Sequence, residues 1–296
     1  MKSKLVMNGP VVLVRGAGEQ ASGVGWVLAK AGFRVVMTEV AKPLMVRWPV
    51  CFGTAVSEGR WEVEGVWASR LDDPQGCEAA WRAGEIPILV DPELKSLSLL
   101  NPLILVDAII AKRNLGTKRS MAPRTFALGP GFTAGSDVDV VVETNRGHNL
   151  ARLIYDGAAE PNTGIPGEVA GISSKRVLYS PKAGIFKAKR SIGEQVLEGD
   201  ILGEIDDGVQ TKEVFALCSG VLRGLLRTGT PVAERVKIGD VDPRGHEEYC
   251  WTITEKARAI GGAVLLGIME IPAIMGYGND SCKKQSQDII SRFLLI

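Results

Sequence analysis

Sliding the chain against itself by 36 residues superposes two stretches without a gap, and nothing else in the sequence narrows its folding options as much. Pro181-Lys182-Ala183-Gly184-Ile185-Phe186 falls on Leu217-Cys218-Ser219-Gly220-Val221-Leu222, and Ile192-Gly193 on Thr228-Gly229. Val196 falls on Val232, and Leu202-Gly203-Glu204-Ile205 on Ile238-Gly239-Asp240-Val241. Short apolar–polar alternation between glycine turns is strand patterning, and a duplicated unit this small must pack its two copies together to bury their apolar faces. Two interlocked β-halves related by a pseudo-twofold axis are expected.

That pattern resembles the barrel-sandwich hybrid of biotinyl/lipoyl carriers. Gly199-Asp200-Ile201-Leu202-Gly203-Glu204-Ile205 is similar to the run that leads into the carrier hairpin. The resemblance puts the acylated lysine at Val209, and Lys212 comes three residues late. No biotin or lipoate attachment is expected, so the module reads as one for docking or for covering a site.

The N-terminal half carries a different signal. Val11–Val14 is a compact apolar run that ends in Arg15-Gly16-Ala17-Gly18-Glu19-Gln20-Ala21-Ser22. Helical spacing follows through Val24, Val27, Leu28 and Ala31 until Gly32, and a second β-type run, Phe33–Thr38, ends at Glu39. Strand, glycine turn, helix and strand, with G-x-G-x-x-A at the turn, suit an anion at the helix N-terminus and a sugar hydroxyl at Glu39. Glu19 in the loop would repel a diphosphate, and a tight turn without a ligand is the plain alternative.

Further strands are expected at Val63–Trp67, Ile86–Val90, Leu103–Val106, Thr125–Leu128 and Val138–Glu143. Runs apolar on both faces suit a covered sheet. Polar clusters follow three of these strands. They are Asp107 with Lys112 and Arg113; Gly129-Pro130-Gly131; and Glu143-Thr144-Asn145-Arg146-Gly147-His148-Asn149, with Asn162 and Thr163 further on. Loops at strand ends are where ligands sit in α/β sheets, so the clusters are expected to form one pocket. Arg146 suits a phosphate or carboxylate, and His148 an acid or base near neutral pH. His148 also reads as an ordinary surface or cap histidine, and no nucleophile–base pair stands out.

Composition narrows the functional classes. Hydrophobic residues make up 45% and charged residues 23%, as in globular proteins, and 35 basic against 34 acidic residues leave +1, too balanced for gripping nucleic acid by charge. Five cysteines (Cys51, Cys77, Cys218, Cys250 and Cys282) without a CxxC pair argue against a disulfide framework and point to a reducing cytoplasm. Two histidines, His148 and His246, are too few for a multi-histidine metal cage, and no metal is expected. Ala259–Met269 is about half the roughly 20 residues a membrane span needs, so no membrane partner is expected. From Thr252 to Ile268 a helix is expected, capped by Thr252 or Thr254, with Ala257, Ile260, Val264 and Ile268 inward.

In order, RGAGEQASGVG, VVMTE, VDAIIAKRN, GPGFTAGSDVDVVVETNRGHN, PNTGIPG, KIGDVDPRG and TITEKARAIGG resemble the YqeB family of accessory proteins for selenium-dependent molybdenum hydroxylases. The resemblance runs from about Val11 to Ile271 and departs at Ala151, where it implies glycine. Pro272–Ile296 falls outside it. It implies a maturation role, with a molybdenum hydroxylase client and other maturation proteins as partners, and attaches no firm reaction. A homo-oligomer stays open.

The expected architecture is an α/β Rossmann-like domain with a mainly parallel sheet over residues 1–172, which binds a nucleotide or cofactor. An all-β barrel-sandwich hybrid over 173–248 follows, then a C-terminal helix and tail over 249–296, the helix packing back on the first domain. A molybdopterin cofactor or a nucleotide would be held by Arg15, Gly16, Gly18, Ser22, Glu39, Gly129, Gly131, Asn149, Asn162 and Thr163. His148, Arg146, Glu143, Asp107 and Lys112 are the catalytic candidates. The alternative is an NAD(P)-dependent oxidoreductase. A selenium-transfer enzyme would instead need a nucleophilic cysteine, and Cys51 reads as a buried structural thiol.

Overall fold

Val11-Val12-Leu13-Val14 is apolar on both faces, and in a computed structural model, which describes residues 5–270, it forms the middle strand of a nine-stranded sheet. The chain divides into two units. The first takes in residues up to Lys42, then Phe52–Asn162 and the chain from Thr254 on; the second consists of Pro43–Cys51 and Thr163–Ile253.

In the first unit β1 (Val11–Arg15), α1 (Glu19–Lys30) and β2 (Arg34–Glu39) lead to the short α2 (Ala55–Glu58) and the hairpin of β3 (Arg60–Val63) and β4 (Val66–Leu71). Then come α3 (Cys77–Ala83), β5 (Glu85–Val90), α4 (Leu97–Leu100), β6 (Ile104–Asp107), β7 (Arg124–Leu128), β8 (Thr133–Ala134), β9 (Val140–Val142), β10 (Leu153–Ile154) and β11 (Gly157–Ala158). The sheet order is β10-β9-β7-β6-β1-β2-β5-β4-β3; β8 and β11 pair apart from it. Its inner neighbours are parallel, while β10 on β9 and β3 on β4 are antiparallel at the two edges. The strand expected at Val63–Trp67 is instead a turn flanked by two strands. Glu64 and Gly65 take φ of +45° and +79°, the two-residue reversal that matches strand twist.

The second unit holds β12 (Val177–Tyr179), β13 (Gly184–Ala188), β14 (Gln195–Val196), β15 (Ile201–Asp206), β16 (Thr211–Phe215), β17 (Gly220–Leu225), β18 (Thr230–Val232) and β19 (Lys237–Asp242). These make two four-stranded antiparallel sheets, β12-β19-β17-β14 and β16-β15-β13-β18. The 36-residue repeat maps β13, β14 and β15 onto β17, β18 and β19. Each copy lends its short middle strand to the other copy's sheet. Repeat-related glycines make repeat-related contacts: a Cβ on Gly184 would meet the Asp206 carbonyl, and one on Gly220 the Asp242 carbonyl. Phe186, Leu202, Ile205, Leu222, Ile238 and Val241 bury together between them.

The expected Rossmann-like domain followed by a barrel-sandwich hybrid does not describe this chain, although the helix expected after them is present. A doubly wound sheet covers its parallel strands with a helix per crossover. Here α1 is the only crossover helix longer than seven residues, and β6 reaches β7 through a loop with one 3-10 turn, Arg119–Met121. The sheet is mixed, and the second unit's strands stay in two separate sheets instead of closing into one barrel.

The last helix among the described residues, α5 (Glu255–Met269), belongs to the first unit. Thr254 caps it, its hydroxyl accepting from the Ala257 N–H at 3.2 Å. Glycines bring α5 onto α1: a Cβ on Gly23 would lie 2.6 Å from the Ala257 carbonyl oxygen, and one on Gly261 2.7 Å from the Gly23 carbonyl oxygen. Gly23 meets both Ala257 and Gly261, and Gly261 also meets Val27, so the two helices run parallel. The tail from Pro272 on and Cys282 lie outside the described residues.

Candidate functional site

The parallel strands of the first unit all end on one side, and the loops after β1, β6 and β7 close on one another there. Gly16 has φ of +100°, and a Cβ on it would lie 3.2 Å from the Ala108 carbonyl, so the turn after β1 rests on the loop after β6. Gly131 is tighter: a Cβ there would lie 2.5 Å from the Arg113 nitrogen and 2.6 Å from the Lys112 carbonyl carbon. Gly129 abuts Thr144, which leads into the loop after β9.

Several residues expected to hold a ligand are committed to the fold. Arg15 is 8% exposed. It donates to Thr117 Oγ1 at 2.8 Å and to the Pro92 and Leu115 carbonyls at 3.0 Å, with Asp107 Oδ2 at 3.4 Å. Asp107 also accepts from the Thr117 hydroxyl at 2.6 Å and from the Ile109 N–H at 3.2 Å. The pair staples the loops after β5 and β6 to β1. Ser22 is buried, donating to the Ala17 carbonyl and accepting from the Phe52 N–H at 2.8 Å. Glu39 accepts from the Ala17 N–H at 2.9 Å and the Val40 N–H at 2.7 Å. Burial raises its carboxyl above the usual range, and those two hydrogen bonds pull the other way.

The turn opens at Gly18, the residue before the first turn of α1, where a Cβ would meet nothing within 4 Å. Glu19 does not block it as the sequence suggested, for its Oε1 accepts from the Thr254 hydroxyl at 3.0 Å. The N-termini of α1 and α5 therefore sit side by side, and their positive ends add.

Lys256 lies in the first turn of α5. Its electrostatic neighbours are Glu19, Arg146, Glu143 and Glu255, and burial holds its ammonium below the ordinary lysine range. No carboxylate is within ion-pair distance of it among the described residues. Burial opposes its charge most, and Arg146 adds to that, while Glu19, Glu143 and Glu255 favour the charge without restoring the ordinary value; such a cost collects at functional sites. Sequence reading missed Lys256; a lysine two residues after the cap of a helix, in the first turn where acids are usual, was the available signal.

Arg146 is exposed and pairs with Glu255. Glu143 is 2% exposed and takes the Asn145 N–H at 2.6 Å and the Glu160 N–H at 2.7 Å. Glu160 is held by the amides of Asn149 at 3.0 Å and Asn145 at 2.5 Å, which lower its carboxyl. A cavity of about 380 Å³ opens beside them, lined by Glu143, Asn149, Tyr155, Asp156 and Glu160 among others. His148 and Lys112 are exposed. Asn162 is the last residue of this stretch of the first unit, while Thr163 belongs to the second and bonds to Ile165. Cys51 is 1% exposed, its thiol donating to the Arg47 carbonyl at 3.1 Å. The Asp242–Arg244 pair joins a buried network with Arg223 and Asp240 in the second unit.

Fold and site together define a mixed α/β sheet protein with a cluster of charged side chains at the strand ends and a duplicated β unit. No protein-family model matches the chain. It is 47% identical over 259 residues, 88% of its length, to the Escherichia coli (strain K12) protein called uncharacterized protein YqeB. That match takes in 47% of the relative, so the chain spans about half the length of the curated relative it matches. The identity supports the YqeB family for this chain. Among solved structures it is similar to the product-bound ectoine utilization protein EutE (DoeB) from Ruegeria pomeroyi, at 12% identity and a TM-score of 0.26, over 79% of this chain and 85% of that one. A succinylglutamate desuccinylase/aspartoacylase from Rhodobacter sphaeroides also scores 0.26, at 15% identity over 79% and 85% of the two chains. Scores this low assign no shared fold. No helix among the described residues is long and apolar enough to cross a membrane.

Proposed function

We propose that this chain is an accessory protein in the maturation of a selenium-dependent molybdenum hydroxylase, and that its first unit holds the anionic part of a nucleotide-bearing, molybdopterin-type cofactor. Lys256 carries the reading: a partly buried ammonium, held below the ordinary lysine range by burial despite Glu19, Glu143 and Glu255 nearby, beside an open helix N-terminus at Gly18. A phosphate there would meet free helix N–H groups and the Lys256 charge, the chemistry such an end accepts best. The residues present fit a phosphate better than a full dinucleotide cradle, because Arg15 and Ser22 are already bonded within the protein. The client enzyme and the selenium connection rest on the family resemblance.

Thermal unfolding against NAD, NADP, CTP, S-adenosylmethionine, molybdopterin and its cytosine dinucleotide tests the reading. A ligand at about 100 times its Kd adds roughly 2.7 kcal/mol. Stabilisation by the molybdopterin species, lost in Lys256→Ala, supports it. Stabilisation by NAD or NADP would turn the assignment to an oxidoreductase, and silence across the panel would remove the cofactor.

A further inference from the structure

At the opposite end of the parallel strands from the glycine turn, a second cavity of about 620 Å³ opens where β1, β2 and β6 begin, bordered by α3 and α4. Its walls are mainly apolar and built on held groups. Trp81 is 6% exposed, and its indole N–H donates to the Val35 carbonyl at 2.7 Å, so the ring is fixed. Arg34 is clamped over it, with the guanidinium carbon 5.5 Å from the ring centroid and Nε donating to the Gly9 carbonyl at 2.8 Å. Leu99 and Leu100 of α4 complete the wall, Leu99 at 59% exposure.

Charge gives the cavity a preference. Glu78 is Arg34's acidic neighbour, with Nη1 at 3.5 Å, and is shared with Arg82 at 3.4 Å. One carboxylate between two arginines leaves Arg34 partly uncompensated. Cys77, also in the wall, is no reactive centre: burial first, then Asp73, push its thiol up to about 12. An aromatic wall, leucines and one positioned guanidinium are the components that take a flat apolar body bearing one negative group.

We propose that this cavity is a second binding site, separate from the Lys256 pocket, for a small aromatic or heteroaromatic carboxylate. The ring lies against the α4 leucines, and the carboxylate meets Arg34, which the buried Trp81 ring backs. The inference stands apart from the maturation reading and survives its failure.

Calorimetric titration of the full chain with 2-naphthoate, and with 2-naphthalenemethanol as the uncharged counterpart, is the test. Saturable naphthoate binding is expected, weaker for the alcohol by about tenfold or more, as for loss of a charge-assisted contact. Arg34→Gln should weaken naphthoate by a similar factor, and Lys256→Ala should leave it unchanged. Leu99→Asp, at an exposed position that folding tolerates, should weaken it too, which keeps the test decisive if Arg34→Gln folds poorly. Absence of saturable binding, equal affinity for the alcohol, or binding that Leu99→Asp leaves intact would overturn the proposal.

Discussion

Ala151 takes φ of +67°, in the left-handed region, at the place where the family resemblance implied glycine. A Cβ in that region costs roughly 1–2 kcal/mol, part of which glycine loses again through its freer unfolded chain. Ala151→Gly should therefore stabilise the protein by about 0.5–1 kcal/mol, raising Tm by about 2 °C in thermal unfolding. Lys256 gives a pH signature. Its ammonium is more acidic in the folded chain than in the unfolded one, so below the ordinary lysine value of about 10.4 the unfolded chain binds more protons. That penalty is present at neutral pH and fades as pH rises. Lys256→Met should be more stable than the parent near neutral pH, with an advantage that shrinks in alkaline buffer; denaturant midpoints across that range decide, and a pH-independent difference would sink the argument. Among the cysteines, burial pushes Cys77 up to about 12 and Cys250 up to about 11, so both stay protonated near neutrality. Alkylation of the native protein followed by mass spectrometry should find Cys77 and Cys250 unmodified, and rapid labelling of either would contradict their burial.

At the scale of elements, the contact between α1 and α5 depends on which glycine faces it. A Cβ on Gly261 would meet the Gly23 backbone and the Val27 side chain, whereas one on neighbouring Gly262 meets nothing within 4 Å. Gly261→Ala should cost about 1–3 kcal/mol by forcing the helices apart, and Gly262→Ala should gain about 0.5–1 kcal/mol from helix propensity alone. Chemical denaturation of the two variants in parallel separates them, and effects of equal sign would mean the packing is not set by backbone approach. Much at this scale was legible in the sequence. The turn after β1, the cap at Thr254 and the correspondence of β13–β15 with β17–β19 leave local signals of spacing, capping and repetition. The reversal at Glu64-Gly65 was legible too, but alternation continuing through it disguised a hairpin as one strand.

For the whole molecule, what escaped the sequence is what distant residues decide. Arg15 looked like a phosphate ligand because it borders the glycine turn, but its partners, Thr117 and the Pro92 and Leu115 carbonyls, come from two other loops. Pro43–Cys51 joins the second unit through the Val46 carbonyl, which accepts from the Leu225 N–H at 2.9 Å, and through Arg47, which donates to the Tyr249 carbonyl at 2.6 Å. Neither link has a local pattern. The same unit buries Arg176 and Arg223 on Asp240, with Asp242 beside them. Lys237, Arg223 and Arg176 overcome burial at Asp240, and Arg244 and Arg223 do so at Asp242, holding both carboxyls below the usual range, so this stability is full above about pH 4 and is lost as pH falls further. Asp240→Asn leaves two buried guanidinium groups short of charge and should cost about 3 kcal/mol at neutral pH. Acid titration followed by circular dichroism should show a shallower loss in that variant than in the parent.

Synthesis is vectorial, and α1 is made early whereas α5 is made last among the described elements. At the usual pace of translation, roughly 10 to 50 seconds separate them. Throughout that interval the Gly23 face of α1 lacks its cover, and its native packing waits until α5 leaves the ribosome.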